Sequence, residues 1–264
     1  MKFINKAISI CIALCFSLST VYANMSIYPY AVDFDASSNK RVASINVSNP
    51  TNEKKTYRVS VIDMKQNPDG SYEEIPSDKR PDDSAAPFIT FSPKQFTLEP
   101  RERQTVNISR KPLLNVPDGD YTSHLKLQEV DTPAEADDSQ ATKNLSIELK
   151  FKYNLTIPVY IKKGKTAGIV KILSVTPEQK NDKSYLLVKL YRTEGNKYFR
   201  GTITVALGKK VISEVKNIRI YPSTTERIVS LPLEYTTALT GKKVRIVYKN
   251  ETEKGNISEM EFVL

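Results

Sequence analysis

From residue 24 onward the hydrophobic and polar positions alternate with a period of two, and no stretch sustains a helical period. Such alternation sets one face of an extended segment against a core and leaves the other in water. It predicts strands over 26–34, 41–47, 56–62, 105–109 and 121–128, and a long one over 144–161. A second set is predicted over 169–175, 185–191, 202–207, 218–221, 227–233, 244–248 and 257–263. Asn49-Pro50, Asn67-Pro68-Asp69-Gly70, Glu99-Pro100 and Pro117-Asp118-Gly119 punctuate the first set as turns. Short strands between such turns predict an all-β chain of two Ig-like β-sandwich domains. The expected domains are 24–161 and 169–264. Between them lies a charged linker, 162–168, with two glycines and no large apolar residue. Two loops are expected in the first domain: 65–87, rich in Asp, Pro and Ser and expected to be mobile, and the acidic 131–143, expected to be disordered.

Residues 144–161 carry the most regular pattern. Leu145, Ile147, Leu149, Phe151, Tyr153, Leu155, Ile157, Val159 and Ile161 all fall on odd positions, with mostly polar residues between them. The row spans roughly 55 Å, against ~17–20 Å for an ordinary strand, and a sandwich of ~100 residues is not deep enough to cover it. Part of it should face the first domain's own core and part something else. One reading is a last strand packed inside its own sandwich and running on into the linker. The other is an edge strand that offers its apolar row and free backbone groups to a partner strand. Proteins normally blunt such edges because they aggregate, so a long one is explicable where edge pairing is the activity.

Composition narrows the chemistry. The 264 residues include 39 Lys+Arg and 30 Asp+Glu, a formal charge of +9. The basic residues are spread along the strands rather than clustered, so no nucleic-acid partner is expected. His124 is the single histidine, and the two cysteines, Cys11 and Cys15, precede the first strand. Neither a His-rich nor a Cys-based metal site can be built, and no cofactor is expected. There is no glycine-rich phosphate loop, the paired carboxylates are neighbours in loops, and no nucleophile is set beside a base, so an enzyme is not expected. Residues 1–23 read as a signal peptide: Lys2 and Lys6, an apolar stretch too short to span a membrane, then Val21 and Ala23 at the cleavage positions. The expected product is exported and not inserted in the membrane after cleavage. Tyr121, after the Asp118-Gly119-Asp120 turn, is expected to form a tyrosine corner.

Several stretches together resemble one family. SIYPYAVDF (26–34), RVASINVSNPT (41–51), FITFSPKQFTLEPRERQTVNISR (88–110), DGDYTSHLKL (118–127) and the terminal IPVYI (157–161) are similar, in order and spacing, to the periplasmic chaperones of chaperone–usher pilus assembly. The IPVYI ending and the weakly similar second domain look more like the non-classical, alternative or archaic branch. The resemblance implies two Ig-like domains set in an L, and a periplasmic protein that complements pilus or fimbrial subunits with a donor strand and passes them to an outer-membrane usher. Leu145, Ile147, Leu149, Phe151 and Tyr153 match the donor residues. Self-association of the free protein through the same edge is a further expectation. One departure concerns the two basic residues that, in the better-known branch, hold the subunit's C-terminal carboxylate. They match Ala31 and Ile157 here. Arg58, His124 and Lys126, on neighbouring predicted strands, are the replacement candidates, each also readable as a solvated residue and His124 as a structural hydrogen-bonding one. The alternative function is a secreted two-domain Ig-like adhesin or a pilus structural subunit. A structural subunit should carry an additional donor segment and lack its own last strand.

Overall fold

A computed structural model describes residues 25–131, 152–233, 240–251 and 257–264. Leu145, Ile147, Leu149 and Phe151 lie outside the described residues, as do residues 1–24 and most of the acidic loop.

Ten strands build the first sandwich. They are β1 (Ser26–Tyr28), β2 (Val32–Asp35), β3 (Val42–Ser48), β4 (Lys55–Gln66) and β5 (Tyr72–Ile75), then β6 (Ile89–Ser92), β7 (Gln95–Leu98), β8 (Arg103–Arg110), β9 (Gly119–Val130) and β10 (Asn154–Lys163). One sheet runs β1-β3-β8-β6; the other runs β2-β10-β9-β4-β5, with β7 also on β4. The alternating residues do what their period requires. Ile45, Val47, Val106 and Ile108 from the first sheet meet Val59, Leu125, Leu127, Val159 and Ile161 from the second in one core.

The second sandwich pairs β11 (Val170–Lys180), β12 (Lys183–Arg192) and β15 (Glu226–Leu233) in one sheet. The other is β14 (Lys210–Ile220), β13 (Phe199–Leu207), β16 (Lys243–Asn250) and β17 (Ile257–Val263). Leu186, Val188, Leu190, Ile203, Val205 and Ile246 fill its core. Asn181 and Asp182 both take positive φ, 50° and 57°, which closes the tight β11–β12 hairpin with residue types that tolerate that backbone. The fold is all-β: the only helical pieces among the described residues are two three-residue 3-10 turns, Ser77–Lys79 and Ala86–Phe88.

The 65–87 stretch is not the loose loop that its composition predicts. Asn67-Pro68-Asp69-Gly70 turns the chain back so that β5 pairs with the end of β4. The turn then docks on the second domain, where Ile228 N donates to Pro68 O at 2.6 Å and Gln66 Nε2 to Arg219 O at 3.0 Å. Most side chains of the stretch stay exposed, as its polar composition predicts, but Gln66 and the Pro68 carbonyl tie its turn to the second domain.

A second clamp lies where β10 gives way to the connection at 164–169. Asp120 N donates to Asn196 O at 2.9 Å, Tyr198 N to Asp120 Oδ2 at 2.8 Å, and Ala167 N to Asn196 Oδ1 at 2.9 Å. Gly164 takes a φ of +60°, and a Cβ there would lie 2.1 Å from the Asp118 carboxylate, so this corner needs glycine.

Candidate functional site

The first sandwich opens along β10. The odd row runs from Ile161 and Val159, both 0% exposed, through Ile157 at 2%, to Leu155 at 37% and Tyr153 at 49%. The same alternation therefore enters the core at the hinge end and leaves it two residues upstream of Ile157. Strand pairing explains the opening. β1 belongs to one sheet, with Tyr28 opposite Asn46, whereas β2 belongs to the other, with Val32 opposite Val159. The chain changes sheets across Pro29, which has no N–H to give to either ladder. β2 thus covers β10 only over Val159–Lys162. Over Asn154–Pro158, β10 is bonded to β9 on one side and, among the described residues, to no strand on the other. Pro158 falls just where β2 stops, a position where a strand tolerates proline because one ladder is open. At the sheet change the Tyr28 and Tyr30 rings, 69% and 68% exposed, lie edge to face with centroids 6.2 Å apart.

The donor residues expected at 145, 147, 149 and 151 lie outside the described residues, and Tyr153 alone is placed. Its carbonyl accepts from Glu129 N at 3.1 Å, and Lys152 Nζ pairs with Asp131 Oδ2 at 2.5 Å. Asp131 and Lys152 therefore lie together at the end of the β9–β10 ladder.

The three basic candidates share one face of that sheet but not one environment. In register, Arg58 lies opposite Gln128, Lys126 opposite Ser60 and His124 opposite Ile62. Arg58 is exposed. Lys126 is held by Glu74 at 2.6 Å. His124 is not at the surface: it is 4% exposed and its Nε2 is 2.9 Å from Tyr221 Oη in the second domain. A group so covered is closed to solvent, which favours the structural hydrogen-bonding reading of His124 over the anchor one. Ala31 and Ile157 carry no charge to replace it. Ile157 is sealed in the core, and Ala31 packs against Tyr160, Tyr198 and Tyr221.

Those tyrosines are the feature that strand patterning misses. Tyr160 stacks on Tyr198 with centroids 4.2 Å apart, and Tyr221 packs edge-on to Tyr160. Tyr72 completes the patch around His124, 5.9 Å from the imidazole. Burial raises the phenol pKa values of Tyr160, Tyr198 and Tyr221, because a phenolate there would lose its water. The same burial, with Arg219 nearby, lowers His124 to about 4, Asp63 opposing weakly. Beside the patch is a cleft of about 330 Å³ where Lys162, Lys197 and Arg200 face Asp33, Asp35 and Asp120. Opposite charges balance around it. Among the described residues no group of three or more His, Cys, Asp or Glu side chains is placed to hold a metal ion. Tyr121 forms the expected corner, its hydroxyl donating to Pro117 O at 2.7 Å.

No family model matches the chain, and no curated protein matches it. Solved structures do. The chain is similar to the Escherichia coli chaperone DraB at 13% identity, over 91% of this chain and 96% of that one, with a TM-score of 0.45. It is similar to the Pseudomonas aeruginosa chaperone CupB2 at 14% identity, over 90% and 100%, with a TM-score of 0.47. A third is the CsuC–CsuE chaperone–tip subunit pre-assembly complex from the archaic chaperone–usher Csu pili of Acinetobacter baumannii, at 12% identity over 78% and 90%, with a TM-score of 0.42. All three carry a chaperone.

Proposed function

We propose that the protein is a periplasmic chaperone of chaperone–usher pilus assembly. It holds pilus or fimbrial subunits by lending them the strand upstream of the hinge and passes them to an outer-membrane usher. The observation that carries this reading is the upstream half of β10, where an apolar row continues past its own core beside a ladder that no strand pairs among the described residues. The motifs that resemble the family lie on the same strands. An edge of this kind is a liability unless it is used, and adding a strand to it satisfies backbone and side chains together.

In this function Leu145, Ile147, Leu149, Phe151 and Tyr153 enter the groove of an unfinished subunit. Each large apolar side chain removed from water contributes on the order of 1.5–3 kcal/mol, so three to five of them outweigh the cost of ordering the strand. No nucleotide is required: the subunit's folding and its transfer to a more complementary strand supply the driving force. Arg58 and Lys126, on the face beside the strand, are the basic groups left to meet a subunit carboxylate.

The test is co-expression with pilus subunits and recovery of the periplasmic complex. Replacing Leu149 and Phe151 together by Glu is expected to abolish it while the far-UV circular dichroism of the variant stays that of the wild type. An undiminished complex with that folded variant removes strand donation.

A further inference from the structure

We propose that His124 is an acid-released latch between the two sandwiches: while neutral it holds the aromatic joint closed, and protonation lets the domains part. The proposal rests on the geometry of the joint and does not depend on the function proposed above.

His124 projects from β9 of the first domain into a contact made by the second. Its Nε2 is bonded to Tyr221 Oη at 2.9 Å, its ring lies against Tyr72 and Tyr221, and its Nδ1 is buried with no hydrogen-bond partner. A neutral imidazole tolerates one bare nitrogen. An imidazolium carries N–H on both nitrogens, and here the second would point at no acceptor. The groups around it offer no compensation. Arg219 on β14 adds positive charge, while Tyr221, Tyr72 on β5 and Tyr160 on β10 are phenols. Among the described residues Asp63 on β4 is the anion acting on it, and its carboxylate already accepts from Arg80 at 2.9 Å, Ser84 at 2.7 Å and Ser123 at 2.5 Å. On the next rung Lys126 and Glu74 neutralise each other. The joint as built therefore has a place for neutral His124 and none for the cation.

The sign follows from linkage. Exposed imidazole titrates near 6.5, whereas burial holds His124 at about 4 in the closed joint. The latch is thus fully set above pH 6.5 and weakens as the pH falls towards 4. The closed-to-open ratio drops up to about tenfold per pH unit, roughly 300-fold across the window.

Because the chain has one histidine, its Cε1–H resonance reads the titration directly in the wild-type protein, and small-angle scattering reads the separation of the domains. Expected is a titration midpoint well below 6.5, with the radius of gyration rising over the same pH range and the far-UV signal unchanged. His124→Gln should show no rise in that range. Tyr221→Phe, which keeps the ring but removes the hydroxyl, should open at a higher pH than the wild type. Titration near 6.5 at constant radius overturns the proposal. So does separation only when the β signal is lost, or opening of His124→Gln at the wild-type pH.

Discussion

Two halves of one strand carry the same alternation and meet opposite fates. Over Val159–Lys163, β10 lies between β9 and β2 or at the start of the connection, and its apolar side chains are sealed beneath the facing sheet. Over Asn154–Pro158 no second strand pairs with it among the described residues, and beyond the still buried Ile157 the row comes out to Leu155, 37% exposed. The difference lies in the neighbour, not in the strand: β2 starts only at Val32, after the change of sheet. Alternation thus marks a face that is to be buried without saying whose core buries it.

The comparison breaks most visibly by placing one charge in each half. Val159→Asp puts an unpaired carboxylate into a filled core and should cost about 4 kcal/mol or more, lowering the urea midpoint drastically. Leu155→Asp should change stability by less than ~1 kcal/mol, because water already reaches that site, yet it should weaken capture of a partner strand. Equal destabilisation by the two substitutions, read from urea unfolding curves, means that the upstream half belongs to the protein's own core.

A second contrast sets the aromatic joint against the connection at 164–169. If the tyrosine patch couples the sandwiches, Tyr198→Ala removes a stacked ring from a buried contact, at a cost of about 3 kcal/mol. Calorimetry should then resolve two unfolding transitions where the wild type shows one. A single transition in the variant assigns the coupling to the hydrogen bonds of Gln66, Asp120 and Asn196 instead.

The strands that alternate strongly were legible because burial of one face is local information. Val42–Ser48, Lys183–Arg192 and Lys243–Asn250 write it plainly. Tyr72–Ile75 does not: its residues are largely exposed at a sheet edge, so nothing in Tyr-Glu-Glu-Ile distinguishes a strand from a polar loop. The joint was hidden for a different reason. His124 and Tyr160 lie on the outward parity of their strands, where period two predicts solvent, and the second domain covers them instead. An aromatic ring on the polar side of an alternating strand was the one available clue. Tyr160 beside Val159 and Ile161 shows it, but nothing in the sequence says that Tyr198 and Tyr221 are its partners.

Smaller effects sharpen the picture of the first domain. Tyr121→Phe keeps the ring against Phe88 and removes only the bond to Pro117 O. The net value of one such bond is about 1 kcal/mol, so the thermal midpoint should fall by a few degrees with subunit capture intact. Loss of capture instead would mean that the corner sets the pose of β9 and, through it, of the open edge.

The smallest change in stability is expected from Lys126→Ala, and it divides the two remaining basic candidates. Lys126 is partly covered, and its pair with Glu74 spans two strands of one face, so losing it should cost at most ~1 kcal/mol. Its ammonium is already neutralised, whereas Arg58 is exposed on β4 with Gln128 and Gln95 as its strand neighbours. A carboxylate from a bound subunit would have to displace Glu74 to reach Lys126, but meets Arg58 with its guanidinium in water. Arg58→Ala is therefore expected to lower the yield of the proposed complex with a pilus subunit more than Lys126→Ala does. Glu74→Gln, which frees the lysine, should raise the yield if Lys126 takes part at all. Where all three variants capture subunits as well as the wild type, the open apolar edge holds the subunit without a charged anchor.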